Sequence, residues 1–334
     1  LSRLVNENCL NGRDEMITFD VMMRADQEAQ RLVELTQFVE GAGLSGVWIG
    51  DSPPLRWTDT YMVSALCAQA TSNVFLGPGV TNPVTRHSSV TASAMATLHQ
   101  LSGGRAKLGI GFGYSAVRAV GLAPAKLADM ETYIAEVRKG LEQRDISLPV
   151  YIAASGPKGL EMAGRIGDGA IVSIGTHPAL LKQALRQVHK GAEEAGRDPA
   201  KVDVVFLVAT AVSDNWEEAR MDAAPMAARR ALDILYHPSF FPEELEDLRV
   251  EAEKVAQQYN VFQHSRPGEE VPHNRMVTDS LIDAFAMAGT AEQCAAKLQR
   301  MEEIGATHIA LGARGDDQRG GLERFVNQVL PLLG

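Results

Sequence analysis

Apolar residues along this chain follow two alternating rhythms. Short aliphatic and β-branched runs stand at 16–22, 46–50, 74–80, 106–112, 150–154, 169–174, 202–209 and 307–311. Runs of this length, bounded by Gly, Pro and Asn, read as strands buried on both faces. Between them apolar positions recur every three to four residues, the spacing of one helix face. Those stretches predict helices over 29–40, 58–70, 89–101, 126–142, 159–166, 178–195 and 291–304, with a closing helix over 322–330. Gly41, Gly43, Gly191, Gly196 and Gly305 stand where helices should stop. Eight successive strand–helix units predict an α/β fold of the (β/α)8 TIM-barrel type. A doubly wound open sheet would better suit six or seven strands.

One stretch breaks the rhythm. Residues 217–277 are too long for a single unit and carry proline breaks at His237-Pro238, Phe241-Pro242 and Val271-Pro272. They read as a helical insertion after the seventh strand, serving either as a substrate lid or as extra packing. The expected organisation is an N-terminal arm at 1–14 followed by one domain over 15–334, because barrels of this size routinely fold as one unit.

Charge and cysteine content narrow the function classes. The chain has 32 Lys and Arg against 42 Asp and Glu, a net charge of −10. A nucleic acid or an anionic membrane needs a basic field, so neither is expected as a partner. No apolar run has the length of a membrane span and the first residues lack a leader pattern, so the expected location is cytoplasmic. Cys9, Cys67 and Cys294 are far apart, and no His or carboxylate cluster has metal-ligand spacing, so no metal is expected.

The candidate chemistry lies where strands end, since ligands of such barrels bind at the strands' carboxyl ends. The third strand runs into Gly77-Pro78-Gly79-Val80-Thr81-Asn82-Pro83, which neither continues a ladder nor starts a helix. The second ends in Gly50-Asp51-Ser52-Pro53-Pro54, where Asp51 is either a ligand contact or a loop cap. After the fourth, Gly111-Phe112-Gly113-Tyr114-Ser115 is only a loose echo of a dinucleotide fingerprint. Small residues there let a flat ring approach the backbone beside Tyr114 and Ser115, unless the glycines only relieve crowding. The fifth strand opens a helix through Ser155-Gly156-Pro157-Lys158, and the sixth ends in Gly175-Thr176-His177. Both mouths suit an anion, and together they suggest one phosphate held between them.

These segments together resemble the luciferase-like flavin and deazaflavin oxidoreductases, in the coenzyme F420 branch that includes methylenetetrahydromethanopterin reductase. The matching stretches are 47–52, 76–87, the Leu101-Ser102-Gly103-Gly104-Arg105-Ala106 motif, 111–118, 154–158 and 288–292. The resemblance implies a third-strand bulge with a non-prolyl cis peptide at Gly79–Val80, set against the back of the cofactor ring. It implies that Asp51 contacts the deazaflavin, that Thr81 and Asn82 line its ring, and that Ser155–Lys158 with Gly175 and Thr176 hold its phosphate. It also implies a homodimer. Where relatives carry an acidic residue after strand four this chain has Tyr114, and a His common after the strand-two Asp is here Ser52. The proton donor is therefore sought among Tyr114, Ser52 and His87, although His87 is equally placed to cap its helix.

The expected activity is hydride transfer between carbon 5 of the deazaflavin and an electrophilic carbon of a small-molecule substrate. The alternatives are an FMN-dependent monooxygenase of the same fold and a flavin-binding protein without catalysis. Arg56, Trp57, Phe240 and Phe241 are candidates for shaping the substrate pocket.

Overall fold

The computed structural model describes residues 17–52, 57–263, 266, 268–313 and 317–334. The expected arm and Arg56 lie outside them. In chain order the first half comprises β1 (Thr18–Met23), α1 (Ala29–Gly41), β2 (Gly46–Ile49), α2 (Thr60–Ala70), β3 (Phe75–Pro78), α3 (Ser88–Leu101), β4 (Leu108–Ile110), α4 (Tyr114–Arg118), α5 (Leu127–Glu142) and β5 (Val150–Ala154). Then come α6 (Pro157–Ile166), β6 (Gly169–Val172), α7 (Pro178–Glu194), β7 (Asp203–Val212), α8 (Trp216–Tyr236), α9 (Leu248–Gln258), α10 (Pro272–Arg275) and α11 (Asp279–Phe285). The chain ends with β8 (Ala286–Gly289), α12 (Ala291–Glu302), β9 (His308–Ala313) and α13 (Gln318–Arg324), whose helix continues through a π turn at Phe325–Val329.

Eight parallel strands, in the order β3-β2-β1-β9-β7-β6-β5-β4, form the barrel. It closes between β3 and β4 through two isolated parallel bridges, Leu76–Ala106 and Thr81–Ile110. Between those bridges the β3 line advances five residues and the β4 line four. The extra residue makes β3 bulge at Gly79–Val80. β8, which the hydrophobic pattern did not reveal, is a ninth strand. Ala209 and Thr210 pair with β9 on one side and with β8 on the other, so β8 extends the sheet past the end of β6.

Strand alternation fills the interior in layers. Along β7, Val205 and Leu207 point inward while Phe206 and Val208 face the helices. Ascending from the strands' amino-terminal end, the interior holds Tyr151, Asp203 and His308, then Trp48, Ile171, Val205 and Ala310, then Met22, Val80, Ala153 and Leu207. Met22, Val80, Ala153, Ile171 and Leu207 also floor a cleft at the opposite end.

Two sequence features prove structural. Gly191 does not end its helix but lies inside α7, where a Cβ would stand 1.9 Å from the Glu161 carbonyl oxygen of α6. Arg105 donates to the carbonyl oxygens of Ser102 (2.7 Å), Val74 (2.6 Å), Ala68 (3.0 Å) and Thr71 (2.9 Å) and to the Thr71 hydroxyl (3.2 Å). The preceding Gly103 and Gly104 have φ of 64° and 93°, which lets the loop turn back and deliver that guanidinium. The segment read as an insertion is helical: α8 packs against β7, β8, α9 and α11.

Candidate active site

A cavity of about 610 Å³ opens at the carboxyl ends of the strands, within the size range of small-molecule sites. Its floor is kinked where the Gly79–Val80 peptide is cis, as the resemblance implied. Gly79 N–H donates to the Ile49 carbonyl at 2.7 Å, and Thr81 N–H donates to the Gly109 carbonyl at 3.0 Å, so β2 and β4 hold the kink from both sides. Residue 79 has to be glycine: a Cβ there would stand 2.3 Å from Trp48 Cβ.

Asp51 and Ser52 stand beside this floor, both buried and both lining the cavity. Asp51 Oδ2 accepts a 2.7 Å hydrogen bond from the Thr81 hydroxyl. Burial pushes the Asp51 carboxyl above the usual carboxylate range, against the opposing pull of that hydrogen bond. Opposite them, Gly113 has φ 83° and begins α4, placing Tyr114 and Ser115 on the cavity wall. A Cβ on Gly113 would press on Val117 at 2.4 Å and on Asn82 at 3.0 Å. Asn82 uses its Oδ1 for the amides of Val84 and Thr85, leaving its NH2 group for a ligand.

The far rim is cationic. Ser155, Gly156, Pro157 and Lys158 line the cavity where α6 begins, and no side chain caps that helix, so its first-turn N–H groups remain available to an anion. Across from them α8 contributes Arg229, Arg230 and His237, the last just beyond its end. Arg230 donates to the Ser173 carbonyl oxygen and pairs with Asp233 at 3.0 Å, and Arg229 pairs with the same carboxylate at 2.9 Å. Burial pulls Arg230 down to about 10. A Cβ on Gly156 would lie 2.9 Å from His237 Nε2, so glycine there keeps the imidazole against the mouth of α6.

The described residues singled out from the sequence as catalytic or cofactor-binding thus converge, with four exceptions. Thr81 does not line the cavity: its side chain is buried behind Asp51 and orients that carboxyl. Gly175 and Thr176 do not line it either. The Thr176 hydroxyl donates to the carbonyl oxygens of Asp283 and Ala286, because β8 draws that loop outward, and Ser173 takes its place on the wall. His87 is exposed, and its Nδ1 accepts from the Ser89 amide as the cap of α3. Of the pocket-shaping candidates Trp57 lines the cavity, whereas Phe240 is core and Phe241 packs on Phe285. The arginines of α8 went unread because nothing in the sequence aims them. Among the described residues no His, Cys, Asp and Glu group is arranged to hold a metal ion, and no helix is long and apolar enough to cross a membrane.

The cleft thus joins a kinked apolar floor to a cationic rim at the carboxyl ends of a parallel barrel. The chain belongs to the luciferase-like monooxygenase family, whose model matches residues 16–308. It is 30% identical over 319 residues to the 5,10-methylenetetrahydromethanopterin reductase of Methanolobus tindarius, spanning 89% of this chain and 94% of that protein. It is 29% identical over 352 residues to the F420-dependent glucose-6-phosphate dehydrogenase of Beutenbergia cavernae, spanning 95% and 98%. The fold matches the coenzyme F420 dependent tetrahydromethanopterin reductase of Methanopyrus kandleri with a TM-score of 0.78 at 24% identity, covering 96% of this chain and all of that one.

Proposed function

We propose that this protein is an oxidoreductase that uses coenzyme F420 and transfers a hydride between the deazaflavin and an electrophilic carbon, in a C=C, C=N or C=O group, of a small organic molecule. The observation that carries this reading is the union, in one cleft, of the floor where β3 bulges at Gly79–Val80 with the cationic mouth of α6. The likeness to the F420-dependent glucose-6-phosphate dehydrogenase supports the same cofactor. When bound, the deazaflavin supplies a carbon that takes up or releases a hydride as a two-electron step.

The chain's own residues have three tasks. Gly79, Val80, Asn82 and Gly113 would hold the ring, while Ser155–Lys158, Arg229 and Arg230 would hold the phosphate. Asp51 exchanges the proton that accompanies hydride transfer. Its burial favours the protonated form, Thr81 fixes one carboxyl oxygen, and the other is left to the cleft. The Ser52 and Tyr114 hydroxyls orient the substrate by hydrogen bonding, and Trp57 helps to exclude water. The same groups serve either direction of reaction. Assembly as a homodimer belongs to this proposal on family resemblance.

Calorimetric titration with F420 and, separately, with FMN tests the assignment, followed by turnover of reduced F420 with ketones, imines and activated alkenes. Asp51→Asn should lower kcat by about 10²- to 10⁴-fold while F420 still binds. A protein that binds FMN and not F420 overturns the reading.

A further inference from the structure

Beneath the cleft, at the other end of the barrel, lies a polar cluster that the proposed chemistry does not use. His308 Nε2 is 2.9 Å from Asp20 Oδ2, and its Nδ1 is 2.8 Å and 3.0 Å from the two carboxyl oxygens of Asp203. Ionised carboxylates only accept hydrogen bonds, so both ring nitrogens donate, and only the imidazolium carries two N–H groups. Tyr151 donates to Asp203 Oδ2 at 2.7 Å, and Lys107 Nζ lies 3.4 Å from the Tyr151 hydroxyl and 3.8 Å from the centre of the Phe75 ring. Asp20 and Asp203 thus face two cations, His308 and Lys107. Apolar layers of similar volume often pack as well as a buried ion cluster, so filling the barrel does not by itself require charges here.

Trp48 connects this cluster to the cleft. Its indole N–H donates to Asp20 Oδ2 at 3.0 Å, the same oxygen that His308 holds. Its ring is fixed edge-on by Phe75 and Tyr151, at centroid distances of 4.9 Å and 5.1 Å. On its upper side the Cβ of Trp48 occupies the space that a Cβ of Gly79 would need, and the indole Cζ3 stands 3.2 Å from where a Cβ of Gly109 would be, with Val80 Cγ1 at 3.1 Å from the same point. The indole thus lies under Gly109 and in the inner apolar cluster on which Val80 packs, while its Cβ abuts Gly79. A shift of this residue is felt at both sides of the Gly79–Val80 segment.

We propose that the Asp20–His308–Asp203 trio is a positioning device for the cofactor floor, which sets through Trp48 the height and tilt of the Gly79–Val80 segment. The inference rests on the proposed F420 reading for its ligand.

The test is calorimetric F420 affinity of wild type, His308→Gln and Trp48→Phe, at temperatures where circular dichroism shows each to be folded. The variants are expected to bind F420 about tenfold more weakly. Wild-type affinity should also fall as pH rises from about 7 to about 10, and His308→Gln should lack that pH dependence. If the trio only stabilises the barrel, the variants melt earlier but bind F420 as tightly as wild type, which overturns the proposal. Should His308→Gln fail to fold, Trp48→Phe and the wild-type pH series decide, and unchanged affinity in both overturns it. A wild type that binds FMN instead refutes the cofactor assignment, and the same comparisons are then read with FMN. A wild type that binds neither overturns both.

Discussion

Replacing Arg105 by alanine is expected to destabilise the barrel by about 4 kcal/mol. One guanidinium makes five hydrogen bonds, to Ser102, Val74, Ala68 and twice to Thr71, tying the loop before β4 to the end of α2 and the start of β3. Hydrogen bonds to charged groups contribute about 1.5–3 kcal/mol each, but these five share one charge and one ordered side chain, and water re-solvates part of what alanine exposes. The total is therefore about half the simple sum taken at the low end of that range. With an unfolding entropy of about 2.1 cal/mol/K per residue over 334 residues, the melting temperature should drop by about 6 °C. Arg105→Lys keeps the charge but loses the planar fork, and should cost about 2 kcal/mol. Urea unfolding followed by far-ultraviolet circular dichroism measures both values. A loss below about 1 kcal/mol for alanine would refute the reasoning.

Other outcomes follow from the same geometry. His308, raised to about 9 by hydrogen bonds and charge from Asp20 and Asp203 that outweigh its burial, binds its proton more tightly folded than unfolded. Its stabilisation is fully present below about pH 6.5 and is lost as pH rises through about 9, a change of about 3 kcal/mol visible in urea midpoints at neutral and alkaline pH. Gly79→Ala places a methyl 2.3 Å from Trp48 Cβ. It should cost about 1–3 kcal/mol and weaken F420 binding at least tenfold, read by thermal melting and calorimetry. Arg230→Gln should weaken F420 binding about tenfold and flatten its dependence on salt, seen by titration at two ionic strengths.

Much of the barrel could be read from periodicity. The expected 150–154 run is β5 to the residue, and the other seven runs each overlap a barrel strand, although 106–112 contains only the three residues of β4. β8 escaped because Ala286, Met287, Ala288 and Gly289 show neither alternation nor branched side chains, and only the outer half of β7 pairs with them. The site was legible where local sequence fixes the backbone, as at Gly79–Val80, Gly113 and Gly156. It was not legible where a partner distant in sequence decides. Thr81 is turned to Asp51, thirty residues earlier, and Thr176 to carbonyl groups more than a hundred residues later. Arg229 and Arg230 are adjacent on a helix with no local signal, and only the packing of α8 over Ser173 brings them to the cleft.

The pairing around Asp233 leaves an arithmetic imbalance. Two adjacent guanidinium groups share this single carboxylate, so α8 presents an excess of one cationic group to the rim. In the proposed F420 reading that excess would meet the coenzyme's phosphate, and a deazaflavin stripped of it would cover the excess without neutralising it. The complete coenzyme is then expected to bind more tightly than its dephosphorylated form, a preference that would reside in α8 rather than in the substrate pocket.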